Sequence, residues 1–77
     1  MSELIFYTTE GCHLCDLAEQ VLKNINLHQA VKFVDISDSE ALVKLYGTRI
    51  PVVEDTATSE VLCWPFDENS FIEWLKA

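Results

Sequence analysis

Apolar and polar positions follow two different rhythms along this chain. Leu4, Ile5, Phe6 and Tyr7 form an unbroken apolar run that leads into Thr8 and Thr9, the pattern of a central strand covered on both faces. Gly11 breaks the run. From there Leu14, Leu17, Ala18, Val21, Leu22 and Ile25 recur at helical spacing, while Asp16, Glu19, Gln20, Lys23 and Asn24 fill the opposite face. The spacing predicts an amphipathic helix over residues 12–25.

Residues 26–29 read as a connection, and residues 31–36 as a second strand whose Lys32 and Asp35 point to an exposed, edge position. Ser37 with Glu40 three residues later matches a capping box, and Ala41, Leu42, Leu45 and Tyr46 supply the apolar face of a second helix that stops at Gly47. Residues 50–54 form a strand opened by proline, residues 55–59 a polar turn, and residues 60–64 a returning strand, which together read as an antiparallel hairpin. Pro65 ends it. Asp67 is a suitable N-cap for a last helix that carries Phe71, Ile72 and Leu75 inward, with Glu68 in its first turn and Lys76 in its last.

The predicted order is therefore β-α-β-α-β-β-α. One parallel pair joined by a crossover and followed by a hairpin gives an α/β fold: a mixed four-stranded sheet with helices on both faces. The chain has 77 residues, so a single domain over residues 1–77 is expected, with no linker, repeat or low-complexity segment. Nearly half of the residues, 49%, are hydrophobic, enough for a core.

Charge narrows the partners. Thirteen acidic residues against five Lys plus Arg give a net charge of −8, and no basic stripe exists to release counterions from a phosphate backbone, so nucleic acid is not expected as a partner. The same charge repels anionic membrane surfaces. The apolar run after Met1 and Ser2 lacks a preceding basic region and is too short for a signal or a membrane span. A cytoplasmic protein with no membrane association is the expectation, and a monomer the expected state.

The chemistry concentrates at Cys12 and Cys15. Three cysteines in all do not make a disulfide framework, and in a reducing compartment a close pair is more often catalytic or metal-binding than structural. At a helix start directly after a strand, Cys12 lies where unpaired backbone amides and the positive end of the helix dipole favour a thiolate. Cys12 is thus the expected attacking sulfur. Cys15, one turn in and beside the buried positions, suits the thiol that resolves a mixed disulfide.

Metal readings fit less well. A c-type haem site needs His directly after the second cysteine, where Asp16 stands. Zinc needs about four ligands, and His13, His28 and Cys63 are not spaced to complete a set with Cys12 and Cys15. A copper-chaperone arrangement places its pair similarly but in the order β-α-β-β-α-β. No metal ligand is assigned. His13 admits two readings, a neighbouring imidazolium that favours the thiolate or an exposed polar residue, and Glu10, Asp16 and Glu19 oppose thiolate stabilisation.

Two motifs carry a family resemblance: Tyr7-Thr8-Thr9-Glu10-Gly11-Cys12-His13-Leu14-Cys15, and Tyr46-Gly47-Thr48-Arg49-Ile50-Pro51-Val52. With Trp64-Pro65-Phe66-Asp67 they make the whole chain resemble a glutaredoxin-like member of the thioredoxin-fold superfamily, in particular a small bacterial glutaredoxin-like family without an assigned role. The resemblance implies a thioredoxin/glutaredoxin-like fold and a cis Ile50-Pro51 peptide bond. It also implies a substrate-binding set of Gly11, His13, Leu14, Arg49, Ile50, Pro51 and Asp67 around Cys12 and Cys15, with the Ile50 backbone offering its amide and carbonyl to an extended substrate.

The resemblance further implies a thiol-disulfide oxidoreductase that requires no dissociable cofactor. Its substrate would be a disulfide-containing protein or a low-molecular-weight thiol, and its electron donor glutathione or a reductase of the thioredoxin reductase kind. Glutathione is a candidate co-substrate, although Glu10 stands near the usual basic position, His13 and Leu14 replace Pro and Tyr, and residues 63–67 replace a Gly-Gly turn. Of the usual glutathione contacts only the Ile50 backbone and Asp67 are matched, with Arg49 or Lys44 as substitutes for the lost cation. Two alternatives belong to the same fold: a glutathione-assisted iron-sulfur or soft-metal binding module, and an interaction domain without redox turnover. Cys63 fits either a small buried hydrophobe or a secondary redox site, and Trp64 with Phe66 either a lip near the active site or core.

Overall fold

Apolar runs become strands wherever both faces find cover, and here the first run sits at the centre of the sheet. The computed structural model describes residues 3–76; Met1, Ser2 and Ala77, the ends of the expected domain and of its N-terminal segment, lie outside the described residues. The elements are β1 (Leu4–Thr8), α1 (His13–Asn24), β2 (Val31–Asp35), α2 (Glu40–Tyr46), β3 (Val52–Asp55), β4 (Glu60–Cys63) and α3 (Glu68–Lys76). Short 3-10 turns at His28–Ala30 and Ile36–Asp38 flank β2.

The four strands run in the order β2-β1-β3-β4. β1 pairs in parallel with β2, through Phe6 opposite Phe33, and antiparallel with β3, through Phe6 opposite Val53. β3 and β4 are antiparallel, with Val52 opposite Cys63. β2 lies at one edge.

Because side chains alternate across a strand, the sheet serves two cores. Leu4 and Phe6 of β1 join Cys15, Ala18, Leu22, Val31, Val53, Phe66 and Phe71 on the face covered by α1 and α3. Tyr7 turns the other way and packs with Ile36, Tyr46 and Val52 under α2. Helices thus cover both faces. Phe6 and Phe71 are fully buried, and each such side chain contributes about 1.5–3 kcal/mol of transfer free energy.

Several details differ from the sequence expectations. Ser37 is not the cap of α2: it lies in the 3-10 turn, where its N–H donates to Asp35 Oδ1 at 2.9 Å, and Ser39 Oγ accepts from Leu42 N–H at 3.3 Å instead. Ile36 leaves the strand for that turn and is buried there. α2 has only seven residues, so one row faces the sheet: Tyr46 is buried and Leu42 half-buried, while Ala41 and Leu45 are exposed. In α3 the inward positions are Phe71 and, partly, Ile72 and Trp74; Leu75 is exposed, because the broad indole takes the place against the core. Leu14 and Leu17 of α1 are likewise exposed.

Candidate active site

β1 ends at Thr8, and the chain must turn sharply to start α1. Gly11 makes that turn at φ +79°, a backbone conformation that side chains with a Cβ rarely adopt. The requirement is conformational, since a Cβ built there would meet nothing within 4 Å. The Cys12 N–H then closes the turn on the Thr9 carbonyl at 3.4 Å.

Cys12 is the N-cap of α1, with extended backbone angles of φ −84° and ψ 102°. Its sulfur occupies the place where a serine or aspartate oxygen ordinarily caps a helix, and it accepts the Cys15 backbone N–H at 3.1 Å. The Cys12 and Cys15 sulfurs are bonded to one another, with Cα atoms 5.2 Å apart. Cys15 is 3% exposed and belongs to the core under α1 and α3, whereas Cys12 is half-buried at its border. One sulfur faces outward and the other is protected behind it.

His13 and Leu14, between the two cysteines, are exposed, as are Glu10 and Asp16 on either side. Arg49, Ile50 and Pro51 arrive from the second motif and Asp67 from the third. Tyr7 is the partner of Val52 in the β1/β3 register, so the residues just before Val52 lie at the sheet end from which the Cys12 turn leaves. The Ile50-Pro51 bond is cis. Pro51 is fully buried, its carbonyl accepts the Trp64 N–H at 3.1 Å, and half-buried Ile50 packs against both cores.

Three predicted contributions take a different form. The Ile50 N–H donates to the Tyr46 carbonyl at 3.0 Å, so it is not free to pair with an extended substrate. Arg49 turns away from the cysteine pair: its Nη2 donates to Cys63 Sγ at 3.0 Å and its guanidinium lies 6.0 Å from the Tyr46 ring centroid, on the α2 face. Asp67 caps α3, accepting the Ser70 N–H on Oδ1 at 2.7 Å. That bond, chiefly from the Ser70 amide, holds the Asp67 carboxyl below the usual carboxylate range.

Cys63 is half-exposed, not fully buried, and its contact with Arg49 had no sequence signal, since the two residues are 14 apart. Trp64 meets buried Phe66 edge-to-face at 5.1 Å, and the Trp64-Pro65 bond is also cis. On the opposite face of the sheet, under α2, the Tyr7 hydroxyl donates to Glu54 Oε1 at 2.6 Å and the Tyr7 ring stacks on Tyr46 at 4.7 Å. Burial first, then the bond to Glu54, pushes the Tyr7 phenol well up, and burial with the Glu54 charge raises Tyr46 as well. Among the described residues no group of three or more His, Cys, Asp or Glu is placed to hold a metal ion, and no helix is long and apolar enough to cross a membrane.

Comparison with known proteins agrees with this architecture. The family model described as Glutaredoxin-like domain (DUF836) matches residues 3–76. The X-ray structure of the structural genomics target XcR50 from X. campestris is 38% identical, with 95% of each chain covered and a TM-score of 0.86. The solution structure of the same target covers 99% of this chain and 94% of that one at a TM-score of 0.84. Protein Ne2328 from Nitrosomonas europaea is 26% identical, covering 95% of this chain and 89% of its own, with a TM-score of 0.77. No curated protein matches the chain.

Proposed function

We propose, since the chain belongs to the glutaredoxin-like domain family, that it is a thiol-disulfide oxidoreductase working through Cys12 and Cys15. The observation that carries this reading is the position of the Cys12 sulfur, which caps α1 and accepts the Cys15 amide while Cys15 lies buried behind it. An N–H donor and the helix N-terminus favour the anionic sulfur.

In the reduced protein the Cys12 thiolate attacks one sulfur of a substrate disulfide, forms a mixed disulfide and expels the other substrate sulfur as a thiolate. Cys15 then attacks the Cys12 sulfur, closes the Cys12-Cys15 bond and releases the second substrate thiolate. Two electrons have passed to the substrate. The chain needs no dissociable cofactor for these steps. The cycle is completed by glutathione or a flavoprotein reductase, the working unit is a monomer, and the setting is a reducing cytoplasm. Leu14 and the Ile50-Pro51 step border the substrate.

The test is disulfide reduction with glutathione plus its reductase and, separately, with thioredoxin reductase, on the wild type, Cys12→Ser and Cys15→Ser. Turnover that vanishes in Cys12→Ser, with a stable mixed disulfide trapped on Cys12 in Cys15→Ser, supports the reading. Failure of the dithiol-reduced wild type to reduce any disulfide overturns it.

A further inference from the structure

The charges around the cysteine pair have one sign. Glu10 lies two residues before Cys12 and Asp16 directly after Cys15, both side chains are exposed, and among the described residues neither takes part in a salt bridge. The first Lys or Arg of the chain is Lys23, in the last turn of α1. That is roughly 16 Å along the axis from Cys12 at about 1.5 Å per residue, beyond the screening length of about 8 Å at physiological salt. Arg49, the cation nearest in sequence to the Ile50-Pro51 step, is held by Cys63 and Tyr46 on the α2 face. His13 is the one basic side chain within the motif, and among the described residues no Lys or Arg forms a salt bridge with either carboxylate.

We infer that the site selects disulfides by charge, reacting faster with cationic than with anionic ones, and that Glu10 and Asp16 are the specificity-determining residues. This rests on the thiol-disulfide reading above. A disulfide brought to the Cys12 sulfur carries its flanking groups past both carboxylates, and Leu14, between them in sequence and 44% exposed, gives the flanks an apolar contact. Lys or Arg beside the disulfide gains attraction in the encounter and in the mixed-disulfide transition state. Carboxylates beside it, as in glutathione disulfide, meet repulsion. The substrate class is therefore a disulfide in a cationic setting, on a peptide, a protein or a small molecule.

The experiment uses the full chain, reduced beforehand and freed of reductant, in single-turnover reactions followed by loss of its thiols. The probes are cystamine as a dication, hydroxyethyl disulfide as a neutral species and glutathione disulfide as a dianion. Each rate is divided by that of the same disulfide with dithiothreitol, so that differences in leaving-group acidity cancel. The expected order is cystamine, hydroxyethyl disulfide, glutathione disulfide, with a spread of about tenfold or more at low salt. The spread should collapse near 1 M salt, where the screening length is about 3 Å, and shrink in the Glu10→Gln, Asp16→Asn double variant. Glutathione disulfide matching or outpacing the neutral probe at low salt overturns the inference, as does a spread untouched by salt or by the double variant. No reaction with any of the three probes overturns instead the redox reading beneath it.

Discussion

The backbone N–H of Cys15 donates to the sulfur of Cys12 at 3.1 Å, so the residue that would form a mixed disulfide caps α1 on the amide of the residue that would resolve it. The two thiols differ in environment although they are three residues apart: Cys12 is half-buried at the helix end, and Cys15 is 3% exposed within the core. After reduction, iodoacetamide should therefore modify Cys12 first. Reaching Cys15 requires local opening, and an opening cost of only about 1.4 kcal/mol gives a tenfold rate difference. Peptide mass mapping over a time course checks the order, and equal labelling of the two cysteines would remove the structural basis for assigning them different roles.

The two cores make different demands on their residues. Phe6 and Phe71 are fully buried, on β1 and α3 of the same core, and Phe6→Ala should cost about 3–5 kcal/mol through lost burial and the cavity left behind. That is a large share of the total stability of about 5–15 kcal/mol usual for a domain. Leu45 of α2 is 55% exposed, and Leu45→Ala should stay within about 0.5 kcal/mol. Urea denaturation measures both, and comparable midpoints for the two variants would contradict the burial described for Phe6.

The element order, the central place of β1 and the Cys12 turn were legible because each rests on a local rule: an unbroken apolar run, a glycine break, helical spacing. The missed details all depend on partners distant in sequence or on competing local solutions. Ser37 satisfied the capping-box pattern with Glu40, yet the Asp35 carboxylate takes the Ser37 N–H and leaves Ser39 to cap α2. Leu75 has the right spacing from Phe71, but Trp74 packs on the core instead. The Ile50 amide was expected to face substrate, whereas the turn after α2 directs it to the Tyr46 carbonyl. Arg49 and Cys63 meet because β3 and β4 pair with Val52 opposite Cys63, a register that spacing alone does not set.

The Asp67 carboxyl is held below its ordinary range by the Ser70 amide. A lowered native value means stability that is fully present above the unfolded value of about 3.9 and is lost as pH falls through the native one. Asp67→Ala should thus lower the urea midpoint at neutral pH, and the gap to wild type should close on acidification below about pH 4. A gap that persisted unchanged into acid would mean that the charged cap contributes nothing.

The chain has two tyrosines, Tyr7 and Tyr46, and both are shifted upward, Tyr7 by burial and its bond to Glu54, Tyr46 by burial and the Glu54 charge. Exposed phenols ionise near pH 10, so the native protein should show little phenolate absorbance there, while the urea-unfolded chain shows both groups titrating. The sign follows from linkage. A native value above the unfolded one leaves stability unaffected below about pH 10 and erodes it as pH rises further, because the unfolded state releases its phenolic protons first. Phenolate absorbance and unfolding should therefore appear together on alkaline titration. Tyr7→Phe removes the hydroxyl that Glu54 accepts, leaving Tyr46 as the one remaining phenol. If that variant or the wild type ionised near pH 10 while still folded, the buried setting of the tyrosine pair under α2 would be wrong.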